Sequence, residues 1–431
     1  MVLQASNSLW AQTAPDLPVE PAASGSQNCD AVVVGAGFTG LRAALSLAEA
    51  GRKVVVLEAG TIGWGASGRN GGQVNPMLPF HGPDAIRAQA GDVFGDRLMT
   101  AALGSADALF KFIQDYQIDC GARQNGWLRV DHCASAARTA RAAAERWREF
   151  GGEFKEVDGA ELAELTGSTA YKTGVLAPRG GAVQPLALAR GIARAARAAG
   201  TSIFENSAVE NMRRQDGYWH VSTAQAAFHC ETVILATNGY SGALWPSLRQ
   251  SILPVVSIQI ATDPLPDRQI AHILPGGQTV SDTRRVIMYA RREPDNRMVF
   301  GGHGRLLRDG SVAGHDWLIR DAARIFPEVK KEDWRYRWGG QIAITADRLP
   351  HLHQPEPGLI AGLGYNGRGV AMSQVMGQAL AARALGEDPA DGIFQTLPIK
   401  AMPFRRTQMI GKGLAIRWMQ WRDQVEIARG G

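Results

Sequence analysis

The stretch "DAVVVGAGFTGLRAALSLAEAGRKVVVLEAG", Asp30 to Gly60, constrains this chain more than any other. Ala31 to Val34 is a short apolar run closed by glycine, the pattern of a parallel strand buried on both faces. Gly35, Gly37 and Gly40 follow as G-x-G-x-x-G. The first permits a tight turn, the second lets backbone approach a pyrophosphate, and the third lets helix pack on strand. The alanine- and leucine-rich run Leu41 to Ala50 predicts a helix whose unpaired first-turn amides and dipole favour an anion. A second strand, Lys53 to Leu57, ends in Glu58, a carboxylate placed to accept from both ribose hydroxyls of an adenosine and to repel a 2′-phosphate. A glycine-rich structural turn is the plainer reading of the glycines alone, but strand, helix, strand and terminal Glu together point to a dinucleotide on an α/β sheet.

With 431 residues the chain has room for two or three domains. Its cations exceed its acids by five, a mild excess without a basic stripe, so nucleic acid is not expected as a partner. Cys29, Cys120, Cys133 and Cys230 lack C-x-x-C spacing, so no metal site and no disulfide framework is expected. The N-terminal residues show neither a basic n-region nor an apolar h-region, and no segment is apolar over a membrane span's length, so a cytoplasmic location is expected.

Residues 1–26 read as an arm over the surface, pinned by Trp10. The runs 134–150 and 186–199 read as amphipathic helices with solvated arginines. Strands are expected through Ile203 and Phe204, near Val209, at Tyr218 to Ser222 and at Thr232 to Ala236, the last leading into Thr237-Asn238-Gly239 and rejoining the nucleotide sheet. The expected division is a discontinuous nucleotide domain of 27–100, 155–245 and 338–398, a substrate domain of 101–154 and 246–337, and a C-terminal helix within 399–431.

In "GTIGWGASGRNGGQ", Gly60 to Gln73, glycines, Ser67 and the fork of Arg69 make a loop able to approach a flat ligand, for which an NAD enzyme has no use. This segment resembles the D-amino-acid-oxidase-like family of FAD enzymes, and so do "VILATNGYS" at 233–241 and "GLIAGLGYNGRGVAMSQVMGQALA" at 358–381. The resemblance implies an FAD-binding Rossmann-type domain of the glutathione-reductase-like α/β class beside an antiparallel-sheet (α+β) substrate domain. It implies contacts to FAD from Gly35, Gly37, Phe38, Thr39, Gly40, Glu58 and Ala59, then from Gly65, Ala66, Ser67, Arg69, Asn70, Gly71, Gly72 and Gln73. Val209, Thr237, Asn238 and Gly239 follow, and last Gly364, Tyr365, Asn366, Gly367, Arg368, Gly369 and Val370. Some members attach FAD through a cysteine in the C-terminal third; 339–369 holds none, so FAD is expected to be noncovalent.

Within the family the likeness, carried also by "SDTRRVIMYARRE" and "YRWGGQIAITADRLPHL", implies oxidation of a C–N bond to an imine by hydride transfer to flavin N5. The implied substrate is a γ-glutamylputrescine-like polyamine derivative or a cyclic imino acid such as pipecolate. Oxygen, a quinone or a carrier takes the electrons. The expected substrate contacts are Gln73, Asn75, Tyr289, Arg291, Trp338, Thr345 and Arg348, with Arg291 as the fork for a carboxylate and Arg348 in reserve. Tyr289 and Arg291 share one face of a hairpin turning at Pro294-Asp295-Asn296 and ending at Gly301-Gly302. For Tyr289, Arg291 and Trp338 a core role is the competing reading, and Asp347 could instead hold Arg348. His81, His303, His351 and His353 are weaker candidates as bases. The stripe Ile410, Leu414, Trp418, Trp421 and Val425 within 405–428 is expected to dock on the protein itself, with peripheral contact to the inner membrane face as the alternative. An NAD-dependent dehydrogenase and a nucleotide-binding protein without turnover are the rival functions.

Overall fold

A computed structural model describes residues 8–429. Its first sheet runs in the order His351–Glu356, Leu359–Leu363, Thr232–Leu235, Ala31–Val34, Val54–Leu57 and Ser202–Phe204, parallel except for the first pair. All of Ala31–Val34 is buried because successive side chains enter different cores. Ala31 and Val33 join the helices Phe38–Glu49, Pro185–Ala198 and Gly369–Ala384, while Val32 and Val34 meet a four-stranded sheet through Trp219, Val221 and Phe228. The result is a three-layer α/β domain of helices, parallel sheet and small mixed sheet. Gly40 is required by this packing, since a Cβ there would overlap the Gly35 carbonyl.

The second domain is built on a nine-stranded, mostly antiparallel sheet that includes Trp334–Ile344, Leu253–Thr262, Met298–Leu306, Tyr289–Arg292, Thr279–Asp282, Trp127–Val130, Thr173–Ala177 and Lys155–Asp158. One face buries Ile258, Met288, Phe300 and Leu318 in its own core. The cross-strand register places Gln259, Gly301, Tyr289, Ser281, Arg129 and Val175 in one row on the opposite face, which turns toward the first domain.

Four expectations need correction. Lys155–Asp158, Thr173–Ala177 and the end of Trp334–Ile344 belong to the nine-stranded sheet rather than to the nucleotide domain, because their pairing partners lie there and periodicity alone does not say which sheet a strand joins. The hairpin strand does not end at Gly301-Gly302 but runs to Leu306; the two glycines leave room for the rings of Tyr289 and Trp317. The N-terminal segment does run largely exposed over the surface with Trp10 buried as its pin, but it ends sooner than expected, because Gly25–Asn28 pairs with Ala226–Cys230. The C-terminal helix Arg405–Ala428 does dock on the protein, but through its polar side, and most of its apolar stripe faces outward. All four cysteines are free. Among the described residues no helix is long and apolar enough to cross a membrane.

Candidate functional site

Three glycine turns converge at the carboxyl ends of Ala31–Val34, Thr232–Leu235 and Leu359–Leu363, the position where open α/β sheets bind ligands. They are stitched together side chain to backbone: Asn238 Oδ1 accepts from Gly364 N at 3.0 Å, and the hydroxyls of Thr39 and Tyr365 lie 2.5 Å apart. Gly239 lies against the Gln341 backbone with no room for a Cβ. Two helices, Phe38–Glu49 and Gly369–Ala384, start here without a side-chain cap, so first-turn amides and two positive helix ends face the junction. A methyl group at Gly37 would sit 2.9 Å from Ser67 Oγ, whose hydroxyl accepts from Phe38 N at 3.0 Å.

At the tip of Val54–Leu57, Glu58 takes one backbone amide on each oxygen, from Ala36 N at 2.8 Å and Gly60 N at 2.9 Å, which leaves further lone pairs for hydroxyl donors. Val209, beside Ser207, packs against the same end of the domain. These residues fit FAD: amides and helix ends for the pyrophosphate, a carboxylate for the ribose, and a glycine cradle that a Cβ would fill.

Burial pushes the Glu58 carboxyl above its ordinary value, against the opposing bonds from Gly60 and Ala36. Ribose hydroxyls need the ionised form as acceptor. FAD affinity is therefore expected to fall on acidification, starting at a higher pH than for an ordinary glutamate. Glu58→Gln should lose about 1–3 kcal/mol of FAD affinity at neutral pH and show no such acid dependence. Titration of the apoprotein with FAD across pH checks both; equal affinity in variant and parent would place the ribose elsewhere.

The loop after Glu58 is held from below. Asn70 Nδ2 donates to the Ala66 and Ser67 carbonyls, and its Oδ1 accepts from Gly72 N at 2.7 Å. The Arg69 fork is not offered to a ligand: the side chain is buried, its Nε donates to the Trp64 carbonyl at 2.6 Å, and its guanidinium lies over the Trp64 ring. Tyr240, which sequence reasoning missed, lays its ring on Gly65 and accepts from Gln341 N at 2.9 Å.

Most of the expected substrate contacts turn out to brace this loop. Arg291 is 1% exposed; its Nη1 donates to the Val183 carbonyl at 2.7 Å and the Gly72 carbonyl at 3.0 Å, and its Nε pairs with Glu293. In this structure it serves as a strut, with Glu293 just past the strand pairing with both Arg291 and Arg123, while the Arg291 Nη2 is buried without a partner. Trp338 is also fully buried, donating to the Arg69 carbonyl at 3.0 Å. The Tyr289 ring fills the space over Gly71 and Gly301, and its hydroxyl is shared with Ser257 at 2.7 Å and Gln259 at 2.6 Å. Gln73 spends its amide on the Val280 and Ala290 carbonyls. Thr345, fully buried, bonds the Leu349 carbonyl and Asn366. Arg348 stays half-buried over the Phe80 ring, and Asp347 holds His351 at 2.9 Å rather than Arg348. His303 and His353 are each pushed down to about 4 by burial, so neither is a base poised near neutrality.

What remains is a cationic corner. Arg368 stands just before the helix Gly369–Ala384 and lays its guanidinium 4.8 Å over the Trp127 ring. With its amide oriented to satisfy both atoms, Asn75 accepts from Arg368 Nη1 at 2.7 Å and donates to the Val74 carbonyl at 3.2 Å. Arg368 Nε is buried without a partner. Arg129, two residues from Trp127 on the same strand face, adds a second positive charge, and with Trp127, Met77 and Phe154 it lines a narrow cleft. Among the described residues no carboxylate forms an ion pair with either arginine; Asp131, and after it Asp282, act on Arg129 without touching it, and Asp282 is itself paired with Arg284. Burial, with Arg129 adding to it, pushes the Arg368 guanidinium down to about 9. Arginine stays charged in proteins, so such a pair is relieved by an anion. Sequence reasoning missed Trp127 and Arg129; the alternation of "WLRV" at 127–130 was the available signal.

The profile of the FAD dependent oxidoreductase (DAO) family matches residues 30–383. The chain is similar to a probable oxidoreductase OrdL of Rhizobium meliloti (strain 1021), 31% identical over 97% of each chain. It is also similar to the gamma-glutamylputrescine oxidoreductase of Escherichia coli (strain K12), 32% identical over 89% of each. Among solved structures it shares the fold of glycine oxidase from Geobacillus kaustophilus, with a TM-score of 0.70 and 23% identity over 84% of this chain and 95% of that one.

Proposed function

The chain belongs to the FAD dependent oxidoreductase (DAO) family, and on that premise we propose that it oxidises the C–N bond of an amine that also carries a carboxylate. FAD when bound supplies the acceptor, its N5 taking a hydride from the carbon next to nitrogen. The nitrogen gives up a proton to solvent, and the C=N product is open to hydrolysis. The carrying observation is the Arg368 and Arg129 corner, two enclosed cations without an ion-pair partner beside the flavin-side helix start. Their role in this reading is to grip the carboxylate while Trp127 and Asn75 fix the Arg368 fork. The uncapped first turn at Gly369 and Val370 presents a positive helix end to negative charge that develops during reduction.

The E. coli relative is named for γ-glutamylputrescine, which combines a carboxylate with a primary amine, and in this reading the substrate is of that class or a cyclic imino acid. The electron acceptor in this reading is oxygen, a quinone or a carrier. The purified protein is expected to be yellow, to release FAD on acid denaturation, and to bleach on anaerobic mixing with a carboxylate-bearing amine but far less with a simple monoamine. Flavin that stays with the precipitated chain would refute noncovalent binding. Equal bleaching by both amines would refute the carboxylate grip.

A further inference from the structure

We infer that the outward face of the C-terminal helix Arg405–Ala428 is a contact surface for an anionic lipid bilayer. The helix is fixed in orientation by its polar underside. Asp423, 2% exposed, accepts from Val286 N at 3.0 Å and pairs with Arg285 at 2.8 Å; Glu426 pairs with Arg285 at 2.7 Å and with His132 at 3.1 Å. At the other end Arg405 Nε donates to the Ile252 carbonyl at 2.9 Å. These bonds turn the apolar stripe away from the protein, leaving Ile410 85%, Leu414 74%, Trp418 53% and Trp421 62% exposed, with Phe404 at 83% just before the helix. Their spacing keeps them on one side over the length of the helix. An uncovered stripe of this size is not how a water-facing helix is built.

Charge decides what covers it. Arg406 and Arg417 are exposed alongside the stripe, Arg422 is exposed but paired with Glu426 at 3.3 Å, and both acids of the helix, Asp423 and Glu426, are tied to Arg285 on the docked side. A second copy packed isologously on the stripe would bring like charges together. An anionic headgroup layer instead matches the arginines, while tryptophans suit the boundary between headgroup and acyl chain. No described helix is apolar enough to span a bilayer, so the contact is one of lying on the surface.

The test uses the full-length FAD-loaded protein and sonicated vesicles at low salt, one set of phosphatidylcholine and one of phosphatidylcholine mixed with phosphatidylglycerol. The parent is expected to sediment with the anionic vesicles, with a blue shift of tryptophan emission, and to stay in solution with the neutral ones. Arg406→Gln with Arg417→Gln should weaken partitioning by about fivefold per arginine removed. Leu414→Glu with Trp418→Glu should abolish it, with flavin content and amine-driven bleaching as in the parent. A parent that stays in solution with anionic vesicles would overturn the inference. So would a concentration-dependent dimer that Leu414→Glu with Trp418→Glu dissolves and vesicles do not compete with.

Discussion

Arg368→Met is expected to cut kcat/KM for a carboxylate-bearing amine by about 30- to 1000-fold, which is about 2–4 kcal/mol, the scale for truncating one partner of an enclosed charge pair. Methionine keeps much of the apolar stem over Trp127, so the packing under the guanidinium largely survives. Only the fork is lost. The Asn75 contact to Arg368 disappears with it, but Asn75 can still bond the Val74 carbonyl. A monoamine without a carboxylate has no charge to place in the corner and should lose no more than about threefold, on the scale of a packing change. The two substrates separate the competing roles of this cation. If both lose equally, Arg368 acts on the reduced flavin's charge and not on the substrate. If neither changes, the corner faces away from the reaction and Arg348, half-buried over Phe80, is next to examine. FAD content measured alongside keeps a loss of cofactor from being read as a loss of grip.

Trp10→Ala should destabilise the protein by about 3–5 kcal/mol, the range for truncating a fully buried aromatic. Trp10 is 0% exposed, meets Trp338 edge-on with ring centroids 5.7 Å apart, and carries the Arg291 guanidinium 5.0 Å above its ring. Its Nε1 donates to the Asn70 carbonyl at 2.8 Å, and Gln184 bonds its backbone at 2.9 Å. The substitution therefore removes a floor from beneath Asn70, Gly71 and Gly72, and the loop along which FAD is expected to lie should loosen with it. Urea denaturation followed by protein fluorescence and by free-flavin fluorescence measures both effects. FAD should leave at a lower denaturant concentration than in the parent. An unchanged midpoint would mean that the N-terminal helix contributes nothing to the core. A lowered midpoint without earlier FAD release would uncouple the helix from the loop.

Local signals in the sequence were enough for the nucleotide half. Gly35, Gly37, Gly40 and Glu58 sit within one strand–helix–strand unit, where spacing along the chain is nearly spacing in space. The turn at Thr237 and the helix start at Gly369 could be read for the same reason: each is a strand end with its own glycine or cap. Alternation also put Tyr289 and Arg291 on one face of their strand, and they do share it.

Which occupant that face meets is a different kind of fact. Arg291, Trp338 and Gln73 carry the chemistry of substrate contacts, but backbone carbonyls reached them first, Gly72 and Arg69 of the loop for the first two and Val280 of the sheet for Gln73, which no pattern along the chain brings near. Arg368 and Arg129 lie far apart in sequence, one just before a helix and expected at the flavin, the other in mid-strand with no role expected of it. Only the packing of the nine-stranded sheet against the nucleotide domain encloses them together without a direct ion pair, and an enclosed charge acquires its meaning from what surrounds it. The C-terminal helix makes the same division. The periodicity of Ile410, Leu414, Trp418 and Trp421 is written in the sequence; that the stripe points outward was decided by Asp423 and Glu426 finding Arg285 on a distant turn.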